Sequence, residues 1–305
     1  MSFQLKILGS NSATPAFGRN PTSQLLRAAN HHFLIDCGEG CQMQLSRYRL
    51  RTSRITHILV SHLHGDHFFG LIGLLNTLSL SGRERPMVIY GPAGLDDILT
   101  VQFRVSRTVL SYPIQFITLE GKIPEVIYED EQLTITALPM QHRIPCWGFL
   151  FREKPKLRRI DKEKLSPDLS IEDIVALKHG KDVVAPDGSL RYQNASMTLP
   201  PRKRCSYAYC ADTRYFEQLT EWVQGVDLLY HEATFMDNER SLAESRFHST
   251  TIQAATIAMQ AQVETLLIGH FSSRYKDLTP LLGEAKTVFN NTALAIEGHD
   301  FTIQE

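Results

Sequence analysis

Short apolar runs that end in turn residues recur along the first half of the chain and predict a strand-rich α/β protein. The run Phe3-Gln4-Leu5-Lys6-Ile7-Leu8 ends at a Gly-Ser-Asn-Ser turn, and the segment 23–28 is predicted to pair with 32–35 across a short turn. The segment 55–60 has the apolar character of a buried strand, and a polar loop separates it from an apolar helical stretch at 68–80. The remaining elements predicted in this half are strands at 87–90, 114–119, 126–128, 133–138 and 147–152 and a helix at 95–103.

The second half continues this pattern after an interruption of different character. Strands are predicted at 205–210, 228–230, 266–268 and 292–295, with the clearest helix at 249–261. The intervening segment 153–204 is poor in apolar residues. Residues 152–204 contain 13 Lys and Arg against 8 Asp and Glu, a net charge of +5. We treat residues 1–305 as a single domain in which 153–204 is either a solvated loop or helical insertion, or a protruding basic arm.

The composition narrows the class of protein. The 305 residues are 43% hydrophobic and 21% charged, which excludes a disordered or collagen-like chain. A formal net charge of −1 excludes a uniformly basic nucleic-acid-binding protein, so polyanion binding must come from a local patch. There is neither an apolar run of about 18 residues nor a signal-peptide pattern, and five cysteines predict no disulfide framework. We therefore expect a cytoplasmic protein with no membrane partner.

A cluster of metal-ligating side chains follows the buried strand at 55–60. The segment reads Ser61-His62-Leu63-His64-Gly65-Asp66-His67. His62 and His64 are two residues apart in an extended stretch, so their side chains project to the same side. Asp66 and His67 come where the chain turns into the next helix and can point to a second position nearby. Imidazole nitrogens with carboxylate oxygens suit zinc or a similar divalent metal.

Three further candidates occupy the same kind of position. His142, Asp212 and His270 each come shortly after an apolar strand. Because α/β proteins place ligands at the carboxyl ends of strands, these side chains could converge with the first cluster on one sheet edge. Taken singly, each is equally well explained as an ordinary loop residue.

This constellation resembles the metallo-β-lactamase superfamily. The His-x-His-x-Asp-His cluster, followed by a later His, Asp and His, is the pattern that the superfamily uses. The resemblance implies a four-layer αβ/βα sandwich with two metals at one edge. Asp36, in Leu34-Ile35-Asp36-Cys37-Gly38, matches the structural Asp that the superfamily places after an early strand.

Other segments resemble one family of that superfamily, ribonuclease Z, over nearly the whole chain. They are Leu8-Gly9-Ser10-Asn11-Ser12-Ala13-Thr14-Pro15 running into Arg19-Asn20, Ala211-Asp212-Thr213-Arg214, His231-Glu232-Ala233-Thr234, His248-Ser249-Thr250-Thr251 and Ser272-Ser273-Arg274-Tyr275. The His-Glu-Ala-Thr and His-Ser-Thr segments are absent from most other members of the superfamily, so they are the specific part of the match.

The resemblance implies two Zn²⁺ ions per subunit, with Mn²⁺ as the alternative. His62, His64 and His142 would hold one ion, and Asp66, His67 and His270 the other, with Asp212 bridging them. Two such ions can share a hydroxide and flank a phosphodiester during in-line displacement. In the family's mechanism the residue at Asp66 acts as the general base.

Two further residues resemble the family's proton-transfer pair. His248 corresponds to the donor for the departing ribose oxygen, and Glu232 to the carboxylate that orients it. Glu232 could instead be a carboxylate at the start of a helix. His248 also stands beside Ser249 and Thr250, either of which could cap the following helix.

Substrate contacts are expected from two loops. Arg19 and Arg274 could pair with phosphate, and Asn20 and Ser272 could donate hydrogen bonds; loop structure is the alternative explanation for each. Phe17 stands where the family's Pro-x-Lys-x-Arg-Asn loop has Lys, so a charge is lost and a stacking surface gained. The segment 153–204 corresponds to the family's tRNA-gripping arm, although it lacks the usual Gly-Pro-rich tip.

These implications combine into one functional hypothesis. The chain is expected to be a zinc-dependent endoribonuclease that cuts precursor tRNA 3′ of the discriminator base, leaving 3′-hydroxyl and 5′-phosphate ends. The resemblance further implies a homodimer in which the arm of one subunit holds the tRNA that the other cuts. The alternatives are a small-molecule phosphodiesterase or thioester hydrolase on the same fold, and a non-catalytic RNA-binding protein.

Overall fold

Within residues 3–304, which the computed structural model describes, two seven-stranded β-sheets pack face to face. The strands of the first sheet are β1 (Phe3–Gly9), β2 (Ser23–Ala28), β3 (His31–Cys37), β4 (Ile55–Leu59), β5 (Met87–Pro92), β6 (Ile114–Leu119) and β18 (Asp300–Ile303). The strands of the second are β7 (Glu125–Glu129), β8 (Leu133–Pro139), β9 (Trp147–Glu153), β14 (Ser206–Cys210), β15 (Leu228–Glu232), β16 (Thr265–Gly269) and β17 (Thr292–Leu294).

Both sheets are part antiparallel and part parallel. The first has the order β18-β1-β2-β3-β4-β5-β6, antiparallel from β18 to β3 and parallel from β3 to β6. The second has the order β17-β16-β15-β14-β9-β8-β7, parallel from β17 to β14 and antiparallel from β14 to β7. Strands β8, β14, β15 and β16 therefore run in the same direction, and their carboxyl ends meet at one edge.

Residues 3–304 form ten α-helices, five of which cover the outer faces of the sheets. They are α1 (Cys41–Arg47), α2 (Gly65–Phe68), α3 (Leu71–Leu80), α4 (Leu95–Val105), α5 (Ile171–Lys178), α6 (Asn194–Met197), α7 (Leu219–Trp222), α8 (Arg240–Ser245), α9 (Thr251–Gln260) and α10 (Thr279–Lys286), with 3₁₀ turns at Thr52–Arg54, Lys162–Lys164 and Asp237–Glu239. Helices α1, α3 and α4 pack on the first sheet, and α9 and α10 on the second. None of the helices in residues 3–304 is both long and apolar enough to cross a membrane.

The central core lies between the two sheets. It includes Phe33 from the first sheet and Phe149, Phe151, Tyr207 and Tyr230 from the second, all fully buried. Alternate residues of the same strands face the helices, which is why these strands read as continuous apolar runs. The four-layer αβ/βα sandwich expected from the sequence is thereby confirmed, and all five cysteines are free and buried.

The predicted helix at 68–80 is wrong at its start. The chain forms two helices there, α2 and α3, and Gly70 separates them. The backbone N–H of Gly70 donates to the carbonyl of Cys37 at 2.9 Å, and a Cβ at this position would lie 2.2 Å from the carbonyl oxygen of Gly38. This close approach of two loops breaks the helix, and the periodicity of the sequence does not indicate it. Strand β18, which pairs with β1, was also not predicted.

The insertion at 153–204 is a small folded unit. It contains α5 and two ribbons, β10 (Arg159–Ile160) with β13 (Thr198–Leu199) and β11 (Val183–Val184) with β12 (Leu190–Tyr192). Leu177, Val183 and Met197 form its own buried cluster. Helix α5 begins at a capping box in which Ser170 and Asp173 satisfy each other's backbone N–H groups. The segment is therefore neither a solvated loop nor a purely helical insertion.

Candidate metal centre

The first group of donors surrounds the loop that follows β4. One ligand atom from each of His62, His64, His142 and Asp212 lies within 4.8 Å of all the others. The Nδ1 atom of His64 is 2.9 Å from Nε2 of His62 and 3.1 Å from Nε2 of His142. Asp212 contributes Oδ2, which is 3.4 Å from Nε2 of His62. Nitrogen atoms this close to one another are arranged to share one cation.

The second group of donors lies directly beside the first. Asp66, His67 and His270 also place one ligand atom each within 4.8 Å of the others. The Nε2 atoms of His67 and His270 are 3.3 Å apart, and Oδ2 of Asp66 is 3.5 Å from each of them. Asp212 reaches this group with its other oxygen, because Oδ1 lies 3.0 Å from His270 Nε2 and 3.3 Å from His67 Nε2. One carboxylate therefore spans the two groups.

The donor set fits divalent cations. Asp212 is fully buried, yet its Oδ1 accepts no hydrogen bond, which a bound cation would compensate. Burial lowers the pKa of His64 and of His142 to about 4, so both imidazoles are neutral and able to ligate. Burial opposes protonation of His67 as well, but the Asp212, Asp66 and Asp36 carboxylates raise its pKa well above the ordinary value. The same negative charge attracts a divalent ion.

Hydrogen bonds behind the donors fix which imidazole nitrogen faces the centre. Asp36 lies at the end of β3 and accepts from His67 Nδ1 at 2.7 Å, from the backbone N–H and hydroxyl of Ser61, and from the hydroxyl of Tyr209. The Thr234 hydroxyl donates to Glu232 and therefore accepts from His270 Nδ1 at 2.9 Å. In His67 and His270 alike, Nε2 is left for the metal, an arrangement typical of metal-binding histidines.

His248 and Glu232 form a pair beside the metal centre. His248 Nδ1 lies 2.8 Å from Glu232 Oε1, and its ring centroid is 5.4 Å from those of His142 and His270. Burial alone would lower the pKa of His248, but the Glu232 carboxylate raises it to about 9. Glu232 is the last residue of β15, so it does not stand at a helix start. Thr250 caps α9 in a capping box, next to His248.

A cleft of about 720 Å³ opens above the metal centre. Asp66, Asp212, His248 and His270 line it, and so do Ser272 and Arg274, two of the residues predicted to contact substrate. The cleft also contains Phe69, Arg143 and Arg246, which sequence reasoning missed. For the two arginines, the sequence position could have suggested a place in the cleft, since Arg143 directly follows His142 and Arg246 precedes His248 by two residues.

Phe17, Arg19 and Asn20 lie outside the residues that line this cleft. The Arg19 guanidinium donates to Asn11 Oδ1 at 2.8 Å and to the carbonyl of Tyr275 at 2.6 Å. Asn20 Nδ2 donates to Glu297 at 2.8 Å. Phe17 is 54% exposed, with the Arg19 guanidinium 5.4 Å from its ring centre. These contacts favour loop structure as the role of Arg19 and Asn20, and leave Phe17 as an exposed ring.

Comparisons with known proteins agree with this architecture. The family model of the anti-Pycsar protein Apyc1 matches residues 3–145, and that of the beta-lactamase superfamily domain matches residues 161–271. A metallo-β-lactamase fold protein from Bacillus subtilis superimposes with a TM-score of 0.69 at 21% identity, over 99% of this chain and 100% of that one. The fold and the paired donor groups define a protein of the metallo-β-lactamase superfamily.

Full-length relatives identify the family. The chain is 47% identical to a Ribonuclease Z of Cytophaga hutchinsonii over 100% of this chain and 97% of that protein, and 44% identical to one of Bacteroides fragilis over 97% of each. The chain belongs to the ribonuclease Z family. Among solved structures, the short form of human tRNase Z superimposes with a TM-score of 0.71 at 28% identity, covering 99% of this chain and 100% of that one.

Proposed function

We propose that this protein is a metal-dependent endoribonuclease that removes 3′ trailers from precursor tRNA. The observation that carries the proposal is the Asp212 carboxylate, which spans two adjacent donor groups with the His248–Glu232 pair at their side. Paired metal sites with a separate proton donor suit phosphodiester hydrolysis. Relatives aligned along the whole chain carry the name Ribonuclease Z, which supports RNA as the substrate.

The donors would hold two Zn²⁺ ions per subunit, and Mn²⁺ is the alternative. His62, His64 and His142 would hold one ion, Asp66, His67 and His270 the other, and Asp212 both. Histidine nitrogen is a preferred zinc ligand, which favours zinc over a hard cation such as magnesium. When bound, such a pair of ions supplies an activated water and neutralises charge on the phosphodiester.

The side chains around the centre can manage the protons of the reaction. Asp66 would take the proton of the attacking water as general base, and the backbone N–H of Ala13 holds this carboxylate by donating to Oδ2 at 2.7 Å. His248 would donate a proton to the departing 3′ oxygen of the discriminator ribose. Because Glu232 occupies Nδ1 of His248, Nε2 is the atom that can reach the cleft. The products would carry 3′-hydroxyl and 5′-phosphate ends.

RNA contacts would come from the cleft wall and the arm. Arg274 and Ser272 line the cleft and are the better placed of the predicted substrate residues. The folded insertion at 153–204 would bind the tRNA body through phosphate contacts. A homodimer, in which the arm of one subunit holds the tRNA cut by the other, and a cytoplasmic location stay predictions.

The alternative of a small-molecule phosphodiesterase or thioester hydrolase is not favoured. Such an enzyme needs the metal centre but has no use for a separately folded arm of net positive charge. The relatives that match the full chain are named for ribonuclease activity.

The test is cleavage of a 3′-extended precursor tRNA that lacks CCA, with product ends mapped. We expect one cut after the discriminator base, lost on chelation and restored by Zn²⁺ or Mn²⁺. Failure to cut this RNA, alongside hydrolysis of a small phosphodiester, would contradict the proposal and revive the small-molecule alternative.

A further inference from the structure

A second concave site lies on the first sheet, at the end of the strands remote from the metal centre. The cavity has a volume of about 510 Å³, within the range of small-molecule sites. Its floor is formed by Gln4, Leu25, Arg27 and His32, and the segment from Arg49 to Arg54 forms a wall. Strand β3 begins at this cavity and ends at the loop of the metal centre, roughly 15–20 Å away.

The strand register explains why polar side chains form this floor. Gln4, Arg27 and His32 are direct cross-strand neighbours on β1, β2 and β3. They share the outer face with Leu25 and Leu34, whereas Leu5, Leu26 and Phe33 face the central core. Helices cover this outer face farther along the strands, but the floor of the cavity is bordered by the loop that precedes β4.

The cavity is strongly cationic. Four arginines line it, Arg27, Arg49, Arg51 and Arg54, and no carboxylate from residues 3–304 does. Arg27 is 3.9 Å from Asp300, but the closer partner of that carboxylate is Lys6. His31 pairs with Asp130, which does not line the cavity. Among the described residues, Arg49, Arg51 and Arg54 form no ion pair. Like charges held together on a folded surface cost stability unless an anion compensates them.

Two polar atoms of the floor are buried without a hydrogen bond. They are Nε of Arg27 and Nδ1 of His32. Burial lowers the pKa of His32, and the neighbouring Arg27, Arg54 and His31 lower it further. Buried polar atoms normally have partners, so the floor offers unused hydrogen-bonding capacity as well as charge.

We propose that this cavity binds a small polyphosphate, either inorganic pyrophosphate or the phosphate chain of a nucleotide. The planar guanidinium suits bidentate contact with phosphate, and four of them line one cavity, which favours a ligand with more than one phosphate. The four arginines line one concave cavity, which favours a compact ligand over an RNA backbone. The lining residues include no Phe, Tyr or Trp, and their only rings are the small imidazoles of His31 and His32, so recognition rests chiefly on the phosphates.

The test compares pyrophosphate binding by the wild type and two double variants using titration calorimetry. Arg51→Ser with Arg54→Ser removes two cavity cations, and both residues are exposed, so the fold is retained. The matched control, Arg85→Ser with Arg104→Ser, removes two exposed arginines elsewhere. Because all three proteins keep the metal centre, phosphate binding there is common to all of them, and the difference isolates the cavity.

We expect the cavity variant to bind pyrophosphate at least about tenfold more weakly than the wild type and the control. Titration with ADP then distinguishes the two sources of the phosphates. If the cavity binds ADP more tightly than pyrophosphate, the ligand is a nucleotide; if it binds ADP more weakly, the ligand is inorganic pyrophosphate. Equal pyrophosphate affinity in all three proteins would overturn the proposal. So would an unchanged pyrophosphate affinity with a selectively raised KM for precursor tRNA, which would make the cavity an RNA contact.

Discussion

Replacing Glu232 by Gln should displace the pH dependence of cleavage, because this carboxylate holds a proton on His248. The fully buried side chain accepts from Thr213 N–H, from the N–H and hydroxyl of Thr234, and from His248. Gln preserves its shape and removes its charge. The amide NH₂ can donate to an unprotonated His248 Nδ1, which stabilises the neutral imidazole.

The size of the displacement follows from the environment of His248. Burial lowers its pKa, and the Glu232 carboxylate reverses this and raises the value to about 9. Without that charge the burial remains, opposed only by the Asp212 and Asp66 carboxylates, so the pKa falls toward the ordinary 6.5. The full shift of about 2.5 pH units corresponds to about 3 kcal/mol. A proton donor must be protonated, so activity is lost above its pKa and the alkaline limb of the variant moves to lower pH. At pH 8 the full shift would lower the cleavage rate about 30-fold.

The assay is single-turnover cleavage of precursor tRNA from about pH 5.5 to about pH 9.5, with metal content measured in parallel. Bound cations lower the pKa of His248 in the wild type and in the variant alike. The quantity to compare is therefore the displacement between the alkaline limbs of the two proteins. Glu217→Gln, at an exposed position, is the control and should leave the profile in place. A loss of rate that is the same at every pH would refute the assignment of Glu232 as the residue that keeps His248 protonated.

Three further perturbations address the remaining parts of the site. His248→Ala should lower kcat by about 10²–10⁴-fold at unchanged metal content, with the exposed His299→Ala as control, and loss of metal would remove the proton-donor role. Asp36→Asn deprives His67 of its carboxylate acceptor and should weaken metal affinity about 10–100-fold in a chelator competition; unchanged affinity would show that the Ser61 hydroxyl, 3.2 Å from His67 Nδ1, holds the ring on its own. Deletion of residues 155–200 should abolish precursor tRNA cleavage and spare hydrolysis of a small diester, and unaffected tRNA cleavage would exclude the arm as an RNA-binding element.

The positions of the candidate metal ligands could be predicted because most of them come directly after an apolar strand. Strands β8, β14 and β16 run in one direction, so His142, Asp212 and His270 emerge at the same edge of the second sheet. His62 emerges opposite them from β4. This part of the site could therefore be predicted from the order of strands and loops together with the rule that ligands bind at the carboxyl ends of strands.

The network behind the donors could not be predicted in the same way. Tyr209 lies in a strand whose residues 207–210 face apolar cores, and its hydroxyl reaches Asp36 only because the two sheets pack together. Arg143 and Arg246 are single cations in loops, with no spacing that distinguishes them from surface arginines. Contacts between distant segments carry no periodic signal, so they appear only in the folded chain.

Arg19 and Arg274 illustrate how folding separates two residues that the sequence treats alike. Both are loop arginines in segments that resemble the family's substrate loops, and both could bind phosphate. The Arg19 guanidinium donates to Asn11 Oδ1 and to the carbonyl of Tyr275, so turning it toward RNA would leave those acceptors unpaired. Arg274 lines the cleft and, within the described part of the chain, has one ion-pair partner, Glu239, at 3.8 Å. A guanidinium with a distant, exposed partner exchanges it for phosphate at little cost, whereas a guanidinium bound to the backbone holds a loop.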